Sequence, residues 1–236
     1  MSRLGRPRLH LRVTGSTNDR ARALATDGAP HGTLVTAREQ TAGRGRWGRS
    51  WVGPPGRALL MSVVLRELDP LLPLRAGLAV ADLAGDAARV KWPNDVWVEG
   101  RKVAGILVEA RAQAGWAVLG IGVNVAVEPS ELPPELHETA GTLGRRPDEL
   151  EDALAELLRA LEQRLSEPPC DALGALRARD ALLGRGVTWD GGQGVGAGID
   201  DGGSLLVRLA DGRELALHSG EVLLRQIGPD TAAQEG

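Results

Sequence analysis

Three apolar segments between residues 96 and 127 are joined by turns too short to hold a helix, and this restricts the fold more than any other feature of the chain. Residues 96–99, 103–111 and 116–127 each read as a strand, with EGR and AQAG between them. Parallel neighbours need a crossover of roughly a dozen residues, whereas antiparallel ones close with a few. Hairpin-length turns between several strands therefore favour a mixed sheet covered by helices over a doubly wound parallel one.

The flanking segments fill in that sheet. Residues 8–14 and the GTLVTAR run from Gly32 alternate as strands, and STND (residues 16–19) offers capping side chains to a helix between them that Gly28 can close. ALLMSVVLR returns to strand character at residue 58. Residues 71–88 carry leucine and alanine at helical spacing, with Pro73 tolerated in the first turn. Asp148, with Glu151 three residues on, can cap a further helix whose apolar stripe is Leu150, Leu154, Leu157, Leu158, Leu161 and Leu165. A short helical piece after Pro169 reaches about Leu183. From Gly184 the chain changes to short, glycine-punctuated strands, the pattern of a small β-barrel. The expected organisation is an α+β unit over residues 1–183 followed by a barrel over residues 184–236.

Composition narrows both core and compartment. The chain of 236 residues has six Trp but no Phe and no Tyr, so Leu, Val, Ala and Ile must build the core and each Trp is a candidate for special packing or stacking. A net charge of −3 argues against a dedicated nucleic-acid binder and makes any anion site local. One cysteine, Cys170, excludes an internal disulfide framework and a cysteine-only zinc site, which suits a reducing, cytoplasmic setting. No apolar run is long enough to span a membrane, and arginines stand where a secretory signal needs its apolar stretch.

Charge chemistry gathers in two places. QTAGRGRWGRSW (residues 40–51) has glycines at 43, 45 and 48 that let backbone approach a ligand, and Arg44, Arg46 and Arg49 can converge on one anion such as phosphate. A weakly RNA-binding arginine-glycine tract is the bland alternative, disfavoured by the strands on both sides. The second place is KWPNDVWVEGRK, bracketed by the chain's only lysines, Lys91 and Lys102, against 28 lysines and arginines in all. Lysine offers a compact ammonium for one directed contact, although chance survival in an arginine-biased chain explains two lysines as well. Pro93 would display Asn94 and Asp95 at a strand end, where Asp95 can hold nucleotide-borne Mg²⁺ and Lys102 can neutralise a carboxylate. An ordinary turn explains PND alone, but not the whole cluster. GIGVN (residues 120–124) lacks the third glycine and helix of a dinucleotide fingerprint; its glycines admit either a ligand or plain sheet packing. No P-loop is present. The four histidines are scattered without metal-ligand spacing, and Ser16 reads as a cap rather than a nucleophile.

Taken in order and spacing, STND, QTAGRGRWGRSW, KWPND, RKVAGILVE and GIGVNV resemble the biotin protein ligases, strongly over residues 8–127. The resemblance implies a catalytic domain like that of class II aminoacyl-tRNA synthetases and an SH3-like C-terminal barrel. It implies ATP and Mg²⁺ as co-reactants, biotin activated to biotinyl-5′-AMP, and transfer to a lysine in the biotin carboxyl carrier domain of acetyl-CoA carboxylase or a related carboxylase. By the same resemblance Ser16, Thr17, Asn18 and Gln40 would hold the biotin head group, with Arg44, Gly45 and Arg46 closing over biotin and phosphate. Lys102 would bridge the biotin carboxylate and the α-phosphate. Asp95 and Asn94 would meet the adenine or metal side, with Asp95 as a helper for the acceptor amine. Trp51 would stack on the adenylate, and Arg49 and Asn124 would contact the nucleotide. Trp47 departs from the family, where a basic or small polar residue is common. Only seven residues precede the first strand, so the expectation is the form without the DNA-binding domain of some bacterial members, with no operator binding, no membrane contact and room for a homodimer. The rivals are a lipoate or octanoate ligase and a non-enzymatic nucleic-acid module.

Overall fold

The computed structural model describes residues 4–225, so the outer ends of both expected units, residues 1–3 and 226–236, lie outside the described residues. The first part of the chain runs β1 (Arg8–Thr14), α1 (Thr17–Thr26), β2 (Leu34–Gln40), β3 (Ala58–Leu65), α2 (Leu72–Ala84), β4 (Ala88–Lys91), β5 (Asp95–Val98), β6 (Arg101–Arg111), β7 (Trp116–Asn124), α3 (Leu150–Ser166) and α4 (Pro169–Ala178). Its seven strands form one sheet in the order β1-β2-β3-β7-β6-β5-β4. β1 and β2, joined through α1, are parallel, and the other neighbouring pairs are antiparallel. The mixed sheet expected from the short turns is therefore present.

Alternation along each strand sorts side chains onto two faces. Val63, Leu119, Ile121, Val123, Ala104 and Ile106 point to one side, where α2 and then α3 cover them in a shared aliphatic core. The stripe of α3 behaves as expected: Leu154, Leu157 and Leu161 are buried. Val35, Val64, Trp116 and Val118 point the other way, onto Ala21 and Ala25 of α1. Because α1 is short, that second face is covered at one end only.

Two expectations fail. Residues 71–88 do not form one helix: α2 stops at Ala84, Gly85 adopts a φ of 92°, and Ala88–Lys91 becomes an edge strand paired with β5. Asp148 does not cap α3. A single 3₁₀ turn at Pro147–Glu149 precedes the helix, the Glu149 carboxylate accepts the Arg146 backbone N–H (2.8 Å), and Asp148 instead accepts from the Arg146 side chain.

The chain continues as β8 (Gly186–Trp189), β9 (Gly192–Ile199), β10 (Leu205–Arg208), β11 (Glu214–Leu217) and β12 (Val222–Leu224), an antiparallel sheet in the order β11-β10-β9-β8-β12. Its buried residues Val187, Leu205, Val207 and Val222 belong to the same apolar cluster as α2 and α3, so the two sheets share a core. Trp92 is buried at that junction and donates from Nε1 to the Gly203 carbonyl (3.0 Å).

Candidate active site

The uncovered end of the second face becomes a cleft because three side chains are missing. Gly105 on β6 and Gly120 and Gly122 on β7 lie on that face, with Gly105 and Gly122 cross-strand partners. A methyl on Gly120 would collide with the Asn18 amide, and one on Gly122 with the Trp51 indole. The glycines thus admit a ligand or a second group against the sheet, the reading that plain sheet packing rivalled in the sequence. Trp51 lies across this floor, and its Nε1 is buried without a hydrogen-bond partner. The cleft is open to solvent and encloses about 850 Å³ including the space at its mouth.

One end of the cleft is a polar pocket at the start of α1. Ser16, Thr17 and Asn18 are buried there at 3–4% exposure, held by groups on three other elements. Gln40 Oε1 accepts from the Thr17 backbone N–H (2.7 Å) and hydroxyl (3.0 Å). Ser62, fully buried on β3, donates to Asn18 Oδ1 (2.6 Å) and also lies 2.8 Å from the Thr17 hydroxyl. Asn18 Nδ2 in turn donates to Glu109 (2.8 Å). Ser16 occupies the cap position of α1, but its side chain makes no capping hydrogen bond.

The arginine-rich loop closes over the cleft through ion pairs and a hydrogen bond. Arg44 reaches Asp19 (2.7 Å) and Glu109 (3.3 Å), Arg46 donates to the Asn94 side chain (3.2 Å), and Arg49 pairs with Glu221, just ahead of β12. Burial pulls the Arg46 guanidinium below its ordinary basicity, with Asp95 and Glu221 opposing that shift. The Gly45 N–H donates to the Arg49 carbonyl (2.7 Å), which fixes the loop's own turn. At its tip Trp47 stands 69% exposed in a left-handed backbone conformation (φ 57°), beside the Arg46 guanidinium.

The KWPND turn supplies the opposite wall. Asn94 exchanges hydrogen bonds with Ile106 on β6, accepting on its carbonyl and donating from Nδ2, and so anchors the turn. Asp95, first residue of β5, pairs with Lys102 at 2.7 Å, while Lys91 lies 4.0 Å from its other oxygen. Lys102 also stands over the Trp51 ring, 5.7 Å from its centre. Burial lowers the Lys91 ammonium from ordinary lysine basicity; Asp95 opposes that shift.

Of the residues singled out in the sequence, Ser16, Thr17, Asn18, Gln40, Arg44, Gly45, Arg46, Arg49, Trp51, Asn94, Asp95 and Lys102 line this one cleft. Asn124, at the end of β7 on the same face as Gly120 and Gly122, is buried; its Nδ2 donates to the Gly141 carbonyl (2.9 Å) and its Oδ1 has no hydrogen-bond partner among the described residues. Three contributors went unread: Ser62, Glu109 and Glu221. A lone serine within ALLMSVVL was a signal for the first; Glu221 follows the loop by some 170 residues and gave none. Among the described residues no three His, Cys, Asp or Glu converge as a metal site. Among the described residues the carboxylates lining the cleft are Asp95 and Glu221, and both face cations, which fits Mg²⁺ arriving on nucleotide phosphates rather than a protein-built cage.

Comparison with known proteins agrees with this geometry. Residues 11–125 match the model of the biotin/lipoate A/B protein ligase family. The biotin–[acetyl-CoA-carboxylase] ligase of Mycobacterium tuberculosis is 38% identical, covering 89% of this chain and 86% of that protein. The bifunctional ligase/repressor BirA of Bacillus subtilis is 34% identical over 89% of this chain and 71% of its own length. The biotin protein ligase of Aquifex aeolicus, solved with biotin and ATP, superposes with a TM-score of 0.80 at 29% identity, covering 94% of this chain and 99% of that one. With two such relatives matched over most of their length, and with that fold and cleft, this chain belongs to the biotin protein ligase family.

Proposed function

We propose that the cleft joins biotin to ATP and then passes biotin to a protein lysine. The observation that carries this is one continuous trough: a polar head-group pocket at Thr17, Asn18 and Gln40, a glycine floor under Trp51, and Lys102 paired to Asp95 at the far wall. Biotin's bicyclic urea has donors and acceptors that match the polar pocket. An octanoyl chain or a dithiolane offers no donor or acceptor to meet that pocket. Biotin is therefore favoured over lipoate or octanoate.

In the first step a biotin carboxylate oxygen attacks the α-phosphorus of ATP, and the bond to the bridging oxygen of pyrophosphate breaks. Lys102 stands between the two anions, where its ammonium offsets their repulsion and the charge that builds in the transition state. Asp95 holds Lys102 in that position. Arg44 and Arg46, tied to α1 and to Asn94, bring the loop down as a cover that keeps water from the adenylate. Adenine lies against Trp51, above Gly105 and Gly122, with Arg49 and Asn94 at its margin. Mg²⁺, when bound with the nucleotide, neutralises phosphate charge. In the second step the neutral amine of the acceptor lysine attacks the acyl carbon and AMP leaves, with Asp95 the carboxylate within reach of the incoming amine.

The acceptor is a biotin carboxyl carrier domain; that of acetyl-CoA carboxylase is the finer assignment, in line with the name of the Mycobacterium tuberculosis relative. Residues 1–183 would act as the catalytic unit and residues 184–236 as a C-terminal unit whose Glu221 meets the loop. No helix among the described residues is long and apolar enough to cross a membrane. Pyrophosphate release from Mg-ATP, measured with biotin, lipoate and octanoate in parallel, tests the reading. Release with biotin alone is expected; release with another acid only, or with none, overturns it.

A further inference from the structure

Lys91 has no part in the chemistry described above, yet it is one of only two lysines and its side chain is 9% exposed. Burying an ammonium is costly unless anions receive its protons. Here the nearest anion, Asp95 Oδ2, lies 4.0 Å away, beyond hydrogen-bonding distance, and that carboxylate is already engaged by Lys102 on Oδ1 at 2.7 Å. A second neighbour is the Trp97 ring, 5.4 Å from Nζ. Lys91 lines the cleft, and among the described residues that distant carboxylate is the anion paired with its ammonium.

Its place in the sheet says which ligand atoms that ammonium meets. A single cross-strand row runs Lys91, Asp95, Gly105, Gly122 and Leu60, from β4 through β5, β6 and β7 to β3. Trp51 and the end of the Lys102 side chain lie over Gly105, and the head-group pocket lies at Gly120 beyond. Lys91 therefore comes from beyond Lys102 on the side away from the head group, and the two ammoniums flank the Asp95 carboxylate at 4.0 and 2.7 Å. In phosphoryl and nucleotidyl transfer the attacking and leaving oxygens are roughly in line across the phosphorus. A carboxylate arriving from the head-group side expels its leaving group toward Lys91.

We propose that Lys91 is a further catalytic residue of the adenylating step, binding the β- and γ-phosphates of ATP and receiving the departing pyrophosphate. This inference rests on the function proposed above. Lys102 then serves the bond that forms and Lys91 the bond that breaks, with Asp95 between them.

The test divides the two half-reactions, using Lys91→Met, which keeps the length of the side chain and removes its charge. Expected are a rise of about 10- to 100-fold in KM for ATP, and a similar rise in the pyrophosphate needed to reverse the reaction from biotinyl-5′-AMP. Biotin affinity, and transfer from preformed adenylate to a carrier-domain acceptor, stay at wild-type values. Slowed transfer from preformed adenylate would mean that Lys91 only props Asp95, and unchanged ATP and pyrophosphate dependence would mean that it has no role; either overturns the inference. Wild-type protein that releases no pyrophosphate with biotin would overturn the underlying function instead, so the two failures are distinct.

Discussion

The two faces of strands β6 and β7 are built from opposite materials. Ala104, Ile106, Leu119, Ile121 and Val123 fill one face and are closed off by α2 and α3. On the other face Gly105, Gly120 and Gly122 leave a bare strip of backbone, which Trp51 and Asn18 overlie. The same alternation that sends aliphatics into the core sends glycines to the ligand, because successive residues of a strand point to opposite sides. One face thus holds the fold together, and the other holds a flat group close to the sheet.

This division can be broken from either side. The largest effect belongs to the ligand face: Lys102→Ala should slow biotin-dependent pyrophosphate release by about 10²–10³-fold, with urea unfolding little altered. Next, on the core face, Leu119→Ala should cost about 3 kcal/mol in urea unfolding and leave the KM for biotin and ATP unchanged. Gly120→Ala should weaken biotin binding by about 10- to 100-fold in a calorimetric titration, because Asn18 must leave Ser62 and Glu109 to make room; Gly122→Ala should spare biotin and raise the KM for ATP. Were Gly120→Ala to destabilise the fold while leaving biotin binding intact, the contrast between the faces would be lost.

The smallest effect concerns stability at Lys91. Burial lowers its basicity in the folded chain. Between the folded and unfolded pKa the unfolded chain binds the extra proton, so this group makes stability rise with pH in that window; below it the buried ammonium is a standing cost. Lys91→Met should therefore melt about 2–4 °C higher at neutral pH and lose that alkaline rise, even as its use of ATP worsens. A lower melting temperature would show that Lys91 contributes to the fold.

Much of this was legible in the sequence, because motif residues cluster at element ends. Ser16–Asn18 start α1, Gln40 ends β2, and Asp95 begins β5, so local patterning alone places them. β4 was hidden because Ala-Ala-Arg-Val continues the alanine-rich spacing of α2, and only the backbone at Gly85 breaks it. Ser62 and Glu109 support the head-group pocket from strands distant in sequence, and Glu221 reaches the loop from just ahead of β12; pairing of that kind is decided by tertiary packing and has no local signature. Asn124, named through the family resemblance, is tied by its Nδ2 to the Gly141 carbonyl, a contact no local pattern announces.

With no tyrosine in the chain, ultraviolet emission comes from the six indoles alone. Trp92 and Trp116 are buried away from solvent and give a steady background, whereas Trp51 crosses the floor, Trp47 projects at the rim, and Trp97 lies against Lys91. Two of the six indoles therefore line the proposed substrate cleft and a third lies beside Lys91, so occupancy should be readable in the unlabelled chain as a change in the colour and intensity of its own light.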